Sequence, residues 1–362
     1  MRNSMKDRQS DFHQLHFDSI QALRGITALF IVLEHIRFLN CGAFGVDIFF
    51  CISGFMIMFS TQRDASFFLR KRLIRILPLY YLMTIGTFLL LVLFPGMFAQ
   101  TKADPVFLIK SLLFIPFDIG AGVLQPLMRI GWTVNCEIFF YFLFSAALRF
   151  SHRFRGLISG SLLLIIVAAA SLLPDPPAFL AFYGNPVMLE FLYGMAAYYA
   201  ARQLYRLYLD DALPGFRKPA AKQKSPGAGF FLSLALLLLC FACLVAAKPS
   251  VNILGFRRPL VWGIPAFLIV MCAFLLGLAL PKIPRQLVRL GDASFSLYLM
   301  HYYPVMFLDR IAFDFSACTP ISLFGAVTAV CISILLALIS REIMEKRFSG
   351  WLRNRYIFSK SS

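Results

Sequence analysis

Long apolar runs recur along this chain, each close to the 20 or so residues that a helix needs to cross a hydrocarbon core of about 30 Å. They fall near 19–38, 44–61, 76–97, 131–149, 156–173, 186–202, 228–246, 260–280, 294–312 and 321–340. Of the 362 residues, 59% are hydrophobic and only 15% charged, and the mean hydropathy is +0.75, well outside the composition of a soluble domain. The expected fold class is therefore all-α: a polytopic membrane helix bundle of about ten transmembrane helices. It occupies residues 19–340, between an N-terminal tail (1–18) and a basic C-terminal tail (341–362).

The net charge of +17 would suit a nucleic-acid binder, but its distribution argues otherwise. With the N-terminus inside, most of the 35 Lys and Arg fall in inner loops and tails, as the positive-inside rule requires for an even number of spans with both termini cytoplasmic. Nucleic acid is not an expected partner; lipid is. The polar start "MRNSMKDRQSDFHQLHFDS" leads into a span too long for a signal-peptide core, so it reads as an uncleaved anchor. Of the eight cysteines, only Cys41 and Cys318 fall in outer loops, where a disulfide between them is conceivable but nothing in the sequence brings them together. Residues 203–227, with "GFRKPAAKQKSPGAG", read as a flexible inner loop. The short segment "KADPVFLIKSLLFIP" reads as an interfacial piece or one folded over the bundle.

Charged side chains inside a span cost a few kcal/mol each, which makes them functional candidates. Arg24 and His35 share the first span. Eleven residues apart, they lie within roughly 20° on one helix face and about 16.5 Å apart along the axis, Arg24 toward the cytoplasm and His35 toward the outside. Asp47, Glu137 and Glu190 enter the second, fourth and sixth spans from outside, at about the depth of His35. Arg70, Lys71, Arg72 and Arg75 precede the third span at the cytoplasmic level. The ninth brings Ser294, Tyr298 and His301 at intervals near one helical turn. Each taken alone has an ordinary explanation in anchoring or packing. Carboxylates and a histidine at one level, above arginines at the other, form a pattern that packing does not explain.

The arginine, ten residues, histidine spacing, followed in order by "GVDIFFCISGFM", "RLIRILPLYY", "WTVNCEIFFYF", "EFLYGM" and "LGDASFSLYLMH", resembles acyltransferase family 3, the integral membrane O-acyltransferases of bacterial surface polysaccharides. The opening blocks are most similar to its exopolysaccharide acetyltransferases. That resemblance implies a multi-pass protein of the bacterial inner membrane. It implies acyl-CoA, by preference acetyl-CoA, as a cytoplasmic donor substrate, with no permanently bound cofactor and no metal. It also implies a polysaccharide or lipid-linked oligosaccharide as acceptor. By motif, the family's histidine falls on His35, its first-span arginine on Arg24, and its Arg-x-x-Arg pair on Arg72 and Arg75.

Thioester-to-hydroxyl transfer needs a donor anchor, a base and oxyanion stabilisation. Arginine suits coenzyme A phosphates, because it stays charged and presents forked donors. The expectation is thus that Arg24, Arg72 and Arg75 bind the donor and that His35 takes the acceptor proton. Asp47 or Glu137 would fix the His35 tautomer, with Glu190, Trp132, Tyr298, Ser294 and His301 in support. A covalent variant would carry the acyl group on His35 or Tyr298. The alternative reading is a proton-coupled transporter using His35 and the intramembrane carboxylates, against which stands the lack of repeats.

Overall fold

The computed structural model describes residues 12, 15, 17–95, 102–120, 122–216, 227–247, 255, 257–280 and 282–358. Among the described residues the regular structure is helical, apart from one isolated bridge between Asp118 and Leu124. This is what hydrocarbon demands, since a helix satisfies its backbone polar groups within its own segment. Among the described residues, seven helices are long and apolar enough to cross a membrane: Gly45–Arg63, Phe68–Leu93, Arg129–Phe150, Arg155–Leu172, Ala228–Ala246, Pro259–Ala279 and Pro320–Ile357.

The other three expected spans are also helical but differ in kind. Asp18–Glu34 has 17 residues, and Glu190–Leu209 carries Glu190, Arg202 and Arg206. The ninth is broken into Ser294–Met300, Tyr302–Leu308 and a wide turn, Asp309–Phe313. Most of the expected 1–18 tail and the middle of the 203–227 loop, Lys222 included, lie outside the described residues. Residues 341–358, expected as a tail, continue helically as Arg341–Phe348, Ser349–Arg353 and Asn354–Phe358. None of the eight cysteines is in a disulfide, so Cys41 and Cys318 are not joined.

The chain divides into two compact units, 1–65 with 189–294 and 66–188 with 295–362. In the first unit, small residues let helices touch backbone to backbone. A Cβ on Gly194 would sit 2.0 Å from the Cys51 carbonyl oxygen, and one on Gly54 2.3 Å from that of Phe191, so Gly45–Arg63 and Glu190–Leu209 are in direct contact. Phe50 stacks on Phe191 beside this crossing, at 4.4 Å between ring centres. Phe12 is buried among Phe17, Phe59, Tyr198, Tyr205 and Phe274, which pins the chain just before its first span.

In the second unit, Pro78 interrupts Phe68–Leu93. Having no N–H, it leaves the carbonyl of Ile74 without its usual partner, and the hydroxyl of Ser349 donates to that oxygen at 3.0 Å. The segment expected to lie along the interface or fold over the bundle forms a helix, Pro105–Leu112, capped by Asp104. Its Ser111 carbonyl accepts from Tyr80 at 3.1 Å, and its hydroxyl accepts from the Leu127 amide at 2.8 Å.

Candidate active site

In the first unit, helix Asp18–Glu34 carries both Arg24 and the approach to His35, but it stops one residue short of the histidine. His35 is the C-terminal cap, still right-handed, with its amide reaching back to Val32 in a tightened last turn. Glu34 then accepts from the amides of Gly42 and Ala43 at 2.7 and 3.0 Å, folding the chain back on the helix. Gly42 is required there, because a Cβ would lie 1.6 Å from the Phe30 carbonyl oxygen.

This turn leaves His35 half-buried, with Nδ1 2.9 Å from the Ile31 carbonyl oxygen. A carbonyl only accepts, so Nδ1 carries the proton and Nε2 keeps its lone pair. In the neutral imidazole this contact with its own helix sets the tautomer that a base requires.

The carboxylate expected at its side is engaged elsewhere. Asp47 is fully buried, and both its oxygens are held by Arg258, Nε to Oδ1 at 2.9 Å and Nη2 to Oδ2 at 2.8 Å. This forked pair is itself almost completely enclosed, and the guanidinium lies 5.1 Å from the Trp262 ring. Glu190, also fully buried, faces Asp47, and among the described residues neither of its oxygens has a hydrogen-bond partner by geometry. A Cβ on Gly263 would lie 2.5 Å from the Glu190 Oε2, so the absent side chain at 263 makes room for this carboxyl. Arg258 is not among the candidates that the sequence singled out; it falls just before the apolar run at 260–280. A charge-balance argument would have found it: a carboxylate inside a span needs a cation, and "FRRPLVWG" offers one at a span's mouth.

In the second unit, Glu137 accepts from the hydroxyl of Tyr141 one turn along its own helix. The Arg72 guanidinium lies over the Tyr141 and Phe68 rings, 5.7 Å from each centre. Glu137 therefore sits in the neighbourhood of an expected donor-binding arginine, and Arg75 is half-buried one turn beyond Arg72. Tyr298 accepts from Thr133 at 2.7 Å and donates to the Ile130 carbonyl at 2.9 Å, fixing the start of Trp132–Phe150 where Trp132 stands. His301 is fully buried at the break between two short helices, its Nδ1 2.8 Å from the Tyr298 carbonyl oxygen. Ser294, at the end of the first unit, is buried, and among the described residues its hydroxyl has no hydrogen-bond partner.

With this geometry in hand, comparison with known proteins is decisive about kinship. The family model described as an acyltransferase domain matches residues 17–338. The chain belongs to acyltransferase family 3. Its relatives include the exopolysaccharide production protein ExoZ of Rhizobium meliloti (strain 1021), 28% identical over 79% of this chain and 84% of that protein. Another is the O-acetyltransferase OatA of Staphylococcus aureus (strain NCTC 8325 / PS 47), 25% identical over 91% of this chain. Against OatA the acyltransferase domain spans only 57% of the relative's length. No solved structure shows a significant match. The polar side chains inside this helical protein thus belong to an acyltransferase domain.

Proposed function

We propose that the chain is an integral membrane O-acyltransferase that moves an acetyl group from cytoplasmic acetyl-CoA to a hydroxyl of an extracytoplasmic or membrane-linked glycan such as exopolysaccharide. In this reading ten helices span a bacterial inner membrane with both termini in the cytoplasm. The observation that carries it is the His35 ring, whose Nδ1 donates to the Ile31 carbonyl, within a chain matched to the family over residues 17–338.

The chemistry balances without a metal or redox partner. Nε2 takes the proton of the acceptor hydroxyl as its oxygen bonds to the thioester carbonyl carbon. The tetrahedral intermediate then breaks its carbon–sulfur bond, and the departing thiolate takes the proton from the imidazolium. Arg72, Arg75 and Arg24 hold donor phosphates in this scheme. Glu137 and Tyr141 hold the Arg72 guanidinium by charge and ring contact, and Asp47, Arg258 and Glu190 form an enclosed charged core beside the Glu190–Leu209 helix.

Incubating the purified protein in lipid with isotopically labelled acetyl-CoA and deacetylated exopolysaccharide should transfer label to the glycan. The surface polysaccharide of cells lacking the protein should be lighter by one acetyl group per site. Label that stays on the thioester with every glycan tried, or an unchanged polysaccharide mass, would overturn the reading.

A further inference from the structure

The geometry points to Gln21 and Asp292 as positioning residues that aim the Arg24 guanidinium at the donor. The inference rests on the proposed donor role of Arg24. Asp292 lies in the "LGDASFSLYLMH" block, and nothing so far has given it or Gln21 a task.

Three side chains form a line within the first unit. The Gln21 Nε2 donates to Asp292 Oδ1 at 2.9 Å, and Arg24 Nη1 donates to Gln21 Oε1 at 3.0 Å. An amide can ordinarily be turned over, but here the two ends decide its direction. An ionised aspartate only accepts and an arginine only donates, so the NH₂ must face Asp292 and the carbonyl must face Arg24. A negative charge at one end thus orients the amide dipole along the line and fixes which edge of the guanidinium is occupied.

The backbone holds this line in register. Helix Arg285–Asp292 crosses Asp18–Glu34 so closely that a Cβ on Gly291 would be 1.7 Å from the Gln21 carbonyl oxygen, and one on Gly25 2.8 Å from the Gly291 amide nitrogen. The two glycines flank the relay in both strands of the contact, next to Arg24 and next to Asp292. All three relay side chains are half-buried, so the guanidinium is shielded enough to be held yet open enough to meet a ligand.

An arginine pre-aimed at a phosphate loses less side-chain entropy on binding than a freely rotating one. The effect belongs to donor binding and not to the acyl-transfer step. Acetyl transfer would be measured at varied acetyl-CoA with purified protein, each variant first checked for an unchanged elution profile. Asp292→Ala and Gln21→Met should each raise the donor KM about tenfold, the order of one hydrogen bond to a charged group, with kcat little changed. Asp292→Asn, which keeps an acceptor for Gln21, should stay near wild type. Gln21→Glu alone places two carboxylates against each other and should weaken the donor. Combined with Asp292→Asn it should recover, because the amide introduced at position 292 donates to the carboxylate introduced at position 21, which still accepts from Arg24.

Arg24→Gln separates the two levels of the argument. If it leaves the donor KM unchanged, the donor role of Arg24 fails and the relay with it. If Arg24→Gln raises KM and the relay variants do not, only the relay is overturned. In the Arg24→Gln background, Asp292→Ala should add nothing; an additive loss would make Asp292 a packing residue instead.

Discussion

At the scale of single residues, His35 and Arg258 illustrate two different uses of a polar side chain inside a membrane protein. His35 owes its tautomer to a backbone carbonyl four residues earlier, an interaction that any helical terminus supplies. His35→Ala should abolish acyl transfer while leaving abundance and membrane insertion near wild type, because it removes the proposed base and only a half-buried ring. Quantitative blotting of membrane fractions beside the acetyl-transfer assay checks both halves. Arg258 is enclosed with its carboxylate, so its loss has another signature. Arg258→Ala leaves Asp47 as a buried unpaired charge, and a destabilisation of about 3–5 kcal/mol is expected. Replacing both members with apolar residues, Asp47→Leu with Arg258→Met, should recover most of that loss in a thermal-unfolding assay. Arg258→Lys should recover less, since an ammonium cannot span both oxygens at 2.8 and 2.9 Å.

At the scale of helices, glycine decides which pairs lie in contact. Gly194→Ala drives a Cβ against the Cys51 carbonyl, a rigid backbone atom, and should cost about 1–3 kcal/mol as Gly45–Arg63 and Glu190–Leu209 are forced apart. Gly86→Ala is the matched control. Nothing lies within 4 Å of a Cβ there, and alanine removes the helix penalty of glycine, so stability should hold or rise slightly. Detergent-solubilised melting curves of the two variants should therefore move in opposite directions. Lost backbone bonds matter as much as contacts: Pro78 is accommodated inside Phe68–Leu93 because Ser349 supplies the donor that proline lacks. The apolar pattern announces Pro78 as a defect but gives no hint that a serine 271 positions later answers it, an assignment only packing makes.

For the whole molecule, the testable issues are orientation and donor capture. Cys318 is exposed, and in the proposed topology it faces outward. A membrane-impermeant thiol reagent should label it in intact spheroplasts, whereas a cysteine introduced at Lys222 should react only after permeabilisation. Labelling of position 222 from outside would invert the topology. Arg72→Gln and Arg75→Gln should each weaken binding of acetyl-CoA to purified protein, with partial recovery by lysine, because the charge returns and the fork does not. Unchanged affinity in both would leave them as anchors at the inner surface. The sequence by itself determined that this protein is an all-helical membrane acyltransferase. Composition and run length dictate helices in hydrocarbon, and the motif order, Arg24 to His35 through to the His301 block, is a property of the chain alone. Only the tertiary structure decided which charges meet. Asp47 pairs with Arg258 at a sequence separation of 211, because a buried charge must be compensated by whichever partner the packed helices bring within reach, and Gln21 meets Asp292 at 271. Helical periodicity fixes the face on which a side chain lies, but not which neighbour that face meets.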